Sequence, residues 1–215
     1  MNLGDLIDYK FWINERFSDE IKETKLQRNR EAIWESIGKL VSGSRKKILV
    51  LEFGVAWGYL TWWWIKKFSE IIEIWHGFDS FNGLPKEWRG FKKGTFDADG
   101  ETPNIEDSRI VWHVGEVRET LQNFEFLKSR TDQQVLVVFF DLDLFEPTLL
   151  AWKKILPSLK KGDILYFDEA FDADERRIIE EHILPVGAFR LISASWTSLA
   201  LEVCDITLPT KKISS

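Results

Sequence analysis

Four acidic residues stand at the ends of two apolar runs, and their spacing is one that chemistry could use. Val135–Phe140 closes on Asp141-Leu142-Asp143, and Ile164–Phe167 closes on Asp168-Glu169. Continuous apolar, β-favouring runs of this length suit central parallel strands buried on both faces. Residues two apart in an extended chain share a face, so Asp141 and Asp143 are expected to point into one crevice. Pro147–Leu159 reads as a crossover helix, which makes the two runs a βαβ unit with parallel strands side by side. Carboxylates crowded at the carboxyl end of such a sheet repel one another unless a cation or protons neutralise them. Oxygen ligands at that density suit Mg²⁺, Ca²⁺ or Mn²⁺ better than Zn²⁺. The plainer reading, acids that cap the following helices or solvate the rim, accounts well for one such residue and poorly for the repeated pattern.

A second constellation lies upstream. Leu51-Glu52-Phe53-Gly54-Val55-Ala56-Trp57-Gly58 puts Gly54 and Gly58 where a first strand turns into a helix. Glycine there lets the backbone approach a ligand, and the helix N-terminus offers N–H groups to an anion. Taken alone, a plain tight turn explains these glycines equally well. The GxGxxG fingerprint is absent, which counts against a nicotinamide enzyme. Asp79, followed by Ser80, ends the next strand, where an acid accepts hydrogen bonds from ribose hydroxyls. Turn and acid together point to an adenosine-type ligand. Glu116, just past the third strand, reads either as a neighbour of an adenine ring or as an ordinary acid at a helix N-terminus.

The elements that must position these residues alternate strand and helix. Residues 1–45 are mostly helical, with Leu3, Leu6, Ile7 and then Ile33, Ile37, Leu40, Val41 at helical spacing, and form an N-terminal cap too short to bury a core of its own. Strands are expected at Ile48–Phe53, Ile71–Phe78 and Arg109–Val114, with helices at Tyr59–Phe68, Val117–Leu127 and Ala173–Ile183. Phe189–Ser195 and Ser198–Val203 pair as a terminal hairpin. The order predicts an α/β, Rossmann-like doubly wound sheet of seven strands, mostly parallel, with an antiparallel edge hairpin. The main domain spans 46–208, with a lid loop at 82–107 long enough to be functional, and a frayed tail at 209–215.

Bulk properties narrow the function classes. A net charge of −6 argues against a nucleic-acid backbone as the main partner. The single cysteine, Cys204, excludes an internal disulfide and thiolate metal sites, and fits a cytoplasmic protein. Neither a signal peptide nor a membrane span is expected from the apolar runs. The 11 tryptophans favour aromatic-lined pockets or association surfaces, including a homo-oligomer. His76, His113 and His182 lack metal-ligand spacing and read as core or rim residues.

Leu51–Gly58, Gly77-Phe78-Asp79-Ser80-Phe81-Asn82-Gly83-Leu84-Pro85, Lys93-Gly94-Thr95-Phe96 and Phe140-Asp141-Leu142-Asp143-Leu144-Phe145-Glu146-Pro147-Thr148 follow in order. Together they resemble the macrocin/mycinamicin-type O-methyltransferases, a metal-dependent branch of the class I S-adenosylmethionine methyltransferases. The resemblance runs from about Leu51 to Ala170. It implies an S-adenosyl-L-methionine cofactor, Mg²⁺ held by Asp141, Asp168 and Glu169, and Asp143 as general base. It also implies that Asp79 binds the ribose, that Glu52, Gly54 and Gly58 line the methionine end, and that the lid covers a small-molecule acceptor, a sugar or glycosylated metabolite. The chain departs from the pattern at Glu169, where an aspartate is common, and at Tyr59-Leu60-Thr61. A catechol-type acceptor and a non-catalytic binding module are the alternatives.

Overall fold

Lys47–Phe53 (β1) and Gln134–Phe140 (β4) pair in parallel along their whole length, and every residue after the first of each strand is buried. Strands so enclosed need a helical layer on both faces. The computed structural model, which describes residues 3–207, supplies both; the tail expected at 209–215 lies outside them. Ile72–Asp79 (β2), Ile110–Val114 (β3), Ile164–Phe167 (β5), Gly187–Ala194 (β6) and Leu199–Ile206 (β7) complete one seven-stranded sheet in the order β3-β2-β1-β4-β5-β7-β6. β5 and β7 are antiparallel, as are β6 and β7, so the last strand lies inside the hairpin that forms this edge. The strand order reverses between β1 and β4. That is the switch point outside which open α/β sheets bind ligands.

Side-chain alternation sends Leu49, Leu51 and Phe53 to one face and Ile48 and Val50 to the other. The first face is covered by Leu3–Arg16 (α1), Phe145–Ile155 (α6) and Ala173–Ile178 (α7), through Tyr9, Trp12, Ile13, Trp152, Ile155 and Ile178. The second is covered by Arg30–Ser44 (α3) and Tyr59–Phe68 (α4), through Ile33, Trp34, Ile37, Trp63 and Trp64. The N-terminal segment thus divides across the sheet, α1 on one layer and α3 on the other, with Ser18–Thr24 (α2) between them in sequence. The Tyr9 hydroxyl donates to the Ser198 carbonyl at 3.0 Å and fixes α1 to the far hairpin.

Several expectations are corrected. The helix expected over Val117–Leu127 is a single turn, Val117–Thr120 (α5), followed by a 3₁₀ turn at Phe126–Ser129. The one expected over Ala173–Ile183 is α-helical only to Ile178 and widens to a π-turn over Ile179–Ile183. Trp34, Trp64, Trp75 and Trp152 are fully buried, each removing a large apolar area from water, whereas Trp57, Trp62 and Trp196 stay exposed. Among the described residues no helix is long and apolar enough to cross a membrane.

Candidate active site

The carboxyl ends of β1, β2, β4 and β5 open into a cleft of about 470 Å³. One half is acidic. β4 and β5 run side by side, Phe140 opposite Phe167, so the residues that follow each are neighbours. Oxygens of Asp141, Asp143 and Glu169 lie within 4.8 Å of one another. Burial, then the charges of Asp168 and Asp143, push Asp141 well above the usual carboxylate range. Burial and the charges of Asp168 and Asp141 do the same to Glu169.

Asp143 does not reach the cleft by strand extension. β4 ends at Phe140, and Asp143 turns inward with φ +61°, while the Leu144 amide donates to the Leu142 carbonyl at 2.6 Å. This is a γ-turn with a left-handed central residue, a strained form. The expected shared face of Asp141 and Asp143 is therefore replaced by a tight turn that swings the second acid beside the first. Asp143 is 8% exposed, and burial, then the charges of Asp168, Asp172 and Asp79, raise it to about 7.

Asp168 has other partners. Its Oδ2 accepts from Arg30 Nη1 at 3.0 Å, its Oδ1 from the Tyr166 hydroxyl, and its carbonyl from Ser198 Oγ at 2.7 Å. The Glu169 amide donates to Glu175 Oε2 at 3.0 Å. Glu175 is fully buried on α7, and burial followed by the charges of Asp141, Asp168 and Asp143 raises it far above its ordinary value. Glu169 Oε2 and Glu175 Oε1 are buried without a hydrogen-bond partner. Orphaned carboxylate oxygens beside a crowded oxygen-donor set fit a hard divalent cation.

The other half of the cleft is the glycine turn. Gly54 has φ +88°, and an added Cβ would stand 1.7 Å from the Asp141 carbonyl oxygen. The glycine is thus required by the approach of the β1 and β4 ends. Gly54→Ala is expected to cost about 2–4 kcal/mol in urea unfolding, from the disallowed φ and the clash together; a loss below about 1 kcal/mol would mean that the turn relaxes. Gly58, at φ +77°, caps α4 and lies under Pro103 of the lid. Asp79 Oδ2 accepts from the Val55 and Ala56 amides at 2.7 and 2.8 Å, and Oδ1 from the Phe81 amide at 2.8 Å. Glu52 is 1% exposed, accepts from Thr61 Oγ1 and from Trp75 Nε1, and is raised by burial to about 8, so it is largely protonated at neutral pH. Ser80 and Glu116 line the same wall. Of the ten site residues expected from the sequence, nine border this cleft, and Gly58 sits behind the turn under the lid.

The lid folds back on itself. The Leu84 amide donates to the Thr95 carbonyl and the Gly94 amide to the Leu84 carbonyl, and the amides of Ala98 and Gly100 both donate to the Phe81 carbonyl. Its tip crosses the cleft, where Arg89 pairs with Asp172 at the start of α7 and with Asp5 of α1, over the Phe171 ring at 4.8 Å.

Arg30, Arg89 and Glu175 are site residues that the sequence reading missed. Nothing in the sequence links either arginine to the acids, since both arrive from distant segments. Glu175 did leave a signal: it interrupts the buried stripe Phe171, Ile178, Ile179 with a charge. The missed contact between His76 Nδ1 and His113 Nε2, 2.9 Å apart, follows from the parallel pairing of β2 and β3; burial lowers His76 to about 4.

No protein-family model matches the chain, and no curated protein matches it in sequence. Solved structures do. CalS11, a calicheamicin methyltransferase, aligns with TM-score 0.60 and 24% identity over 82% of this chain and 80% of its own. Its apo form, described as a TDP-rhamnose 3'-O-methyltransferase, gives 0.53 and 22% over 80% and 76%. The O-methyltransferase NovP gives 0.57 and 17% over 81% and 78%. An rRNA methylase from Streptococcus thermophilus gives 0.50 and 14% over 83% and 98%. At these identities the likeness is one of fold: the chain has the Rossmann-like sheet of the methyltransferases.

Proposed function

We propose that this chain is an S-adenosylmethionine-dependent, Mg²⁺-dependent O-methyltransferase acting on a hydroxyl of a small molecule, a sugar or glycosylated metabolite. The observation that carries it is the meeting, in one cleft at the switch point, of the Gly54–Asp79 turn with Asp141, Asp143 and Glu169. The sugar acceptor is supported by the likeness in fold to CalS11. The net charge of −6 supports a small acceptor over a nucleic acid.

In this reading Asp79, Ser80 and Glu116 border the nucleoside, and Glu52, Gly54 and Gly58 the methionine end. Asp141 and Glu169, with Asp168, would hold the cation. When bound, the sulfonium supplies the methyl group and the divalent ion lowers the pKa of the acceptor hydroxyl. Asp143 takes the hydroxyl proton, and its place on a buried, tightly turned backbone fixes the direction from which it does so. The lid and Arg89 exclude water and hold the acceptor against the acids, which is the larger part of what a transfer between two bound molecules requires.

Calorimetric titration with S-adenosylmethionine and S-adenosylhomocysteine, with Mg²⁺ and with EDTA, tests the proposal. Binding near about 10 µM that survives EDTA is expected; no heat with either ligand would remove the methyltransferase reading. The aromatic wall of Trp57, Trp88, Phe91 and Phe96 gives a second reading, a catechol acceptor. Parallel assays on catechols and sugar diols separate the two.

A further inference from the structure

Arg30 is the first residue of α3, and it brings a positive charge from the N-terminal segment into a cleft dominated by carboxylates. Its Nη1 donates to Asp168 Oδ2 at 3.0 Å. The guanidinium also lies 5.3 Å from the Trp34 ring centre and 5.6 Å from that of Tyr59. The two partners differ in freedom. The Asp168 side chain is 9% exposed and also held by Tyr166, whereas the Arg30 side chain is 39% exposed and sits at an open edge. A guanidinium released there has two aromatic faces on which to rest.

The acids show a matching asymmetry. Asp141, Asp143 and Glu169 converge within 4.8 Å without Asp168, although Asp168 directly precedes Glu169 at the end of β5. Beneath them, Glu175 is fully buried with Oε1 unpartnered. Asp168 stands outside this trio and is paired with Arg30 instead. A guanidinium and a divalent ion beside the same carboxylate repel each other.

We infer that Arg30 and a divalent cation are alternative partners of Asp168. Arg30 holds the carboxylate in the ion-free protein. An ion entering beside Asp141 and Glu169 recruits Asp168 and frees it from Arg30, whose guanidinium stays against the Trp34 and Tyr59 rings it already faces. The inference rests on the proposed binding of a divalent ion by this cluster, and it makes Arg30 the residue that sets ion affinity.

The test is calorimetric titration of Mn²⁺ into the full chain and its variants. Arg30→Met is expected to tighten Mn²⁺ about tenfold, a coupling typical of linked sites. Arg30→Gln should do the same, which secures the test if the methionine variant does not fold, and Arg30→Lys should stay within about threefold of the parent. Asp168→Asn weakens the ion, and in that background Arg30→Met should change affinity by less than about twofold, because the competition has lost its object. Unchanged or weaker binding in both neutral variants overturns the inference. So does equal tightening with and without Asp168, which would assign the effect to the general field of the cleft. Parent protein that takes up no Mn²⁺ removes the ion proposal and this inference together, whereas ion binding indifferent to Arg30 removes the inference alone.

Discussion

On the proposed base role, Asp143→Asn is expected to lower turnover by about a thousandfold while S-adenosylmethionine affinity stays within about twofold of the parent, because a general base contributes to the proton transfer and not to cofactor binding. Asn keeps the size of the side chain and tolerates the left-handed φ of +61° at this position, so the turn should survive. The variant is also expected to be more stable than the parent in metal-free buffer at about pH 8. The sign follows from the raised pKa. A carboxyl that titrates at about 7 when folded and at the ordinary low value when unfolded favours the folded state only when protonated. Its ionised form opposes folding above that pH, and the amide removes the opposition. Gain of stability with loss of turnover separates a chemical role from a folding defect. The parent's activity should fall as pH drops through the Asp143 step, and a divalent ion beside it should move that step lower. Turnover within about tenfold of the parent would pass the base role to another residue of the cluster.

How much of this site could be read in advance depends on what kind of contact makes it. The acids at Asp141, Asp143, Asp168 and Glu169 were legible because a strand that is apolar to its end and then abruptly acidic has few structural explanations, and because βαβ units place consecutive strand ends together. The same logic made Gly54 and Asp79 visible. The reason for Gly54 was not, since it answers to a backbone oxygen of Asp141, 87 residues away in sequence and adjacent only through β1–β4 pairing. The turn at Asp143 was hidden for a related reason: an extended chain and a γ-turn deliver the same two acids to the same crevice, and the residue types do not distinguish them. Arg30 and Arg89 were beyond reach because a half-exposed arginine on a helix start or a loop tip looks the same whether it meets solvent or a carboxylate from another layer. The failure at Ala173–Ile183 is of another kind. The helical pattern was correct, and the widening to a π-turn after Ile178 leaves no mark in apolar spacing.

At the opposite end of the sheet from the cleft, Asp163→Asn is expected to destabilise the fold by about 3–5 kcal/mol, the cost of breaking a buried ion pair by one partner. Asp163 precedes β5 and is 1% exposed; the Arg130 side chain that meets both its oxygens is 2% exposed. The carboxylate also accepts from the Leu136 amide at 3.0 Å and the Lys160 amide at 2.7 Å, so it ties the entry of β4 to the entry of β5. Arg130 in turn donates to the carbonyls of Ser158 and Gln134. An amide at position 163 cannot accept at every one of these donors, and it leaves the guanidinium buried beside a group without charge. Burial still outweighs Arg130 in its effect on Asp163, whose pKa lies above the ordinary value. The pair is therefore costly to keep, and what makes it hard to replace is the two backbone amides that depend on it. A loss of this size is a large share of the stability of an ordinary domain and should lower the melting temperature by about 10 °C. In the proposed function, the folded fraction should keep the parent's affinity for S-adenosylmethionine. Buried acids at the two ends of these strands then differ in kind: at the amino end Asp163 is fully partnered and its loss is felt in folding, whereas at the carboxyl end Glu169 keeps an oxygen without a partner and, in the proposed function, its loss is felt in chemistry. A melting temperature within about 2 °C of the parent would break that contrast.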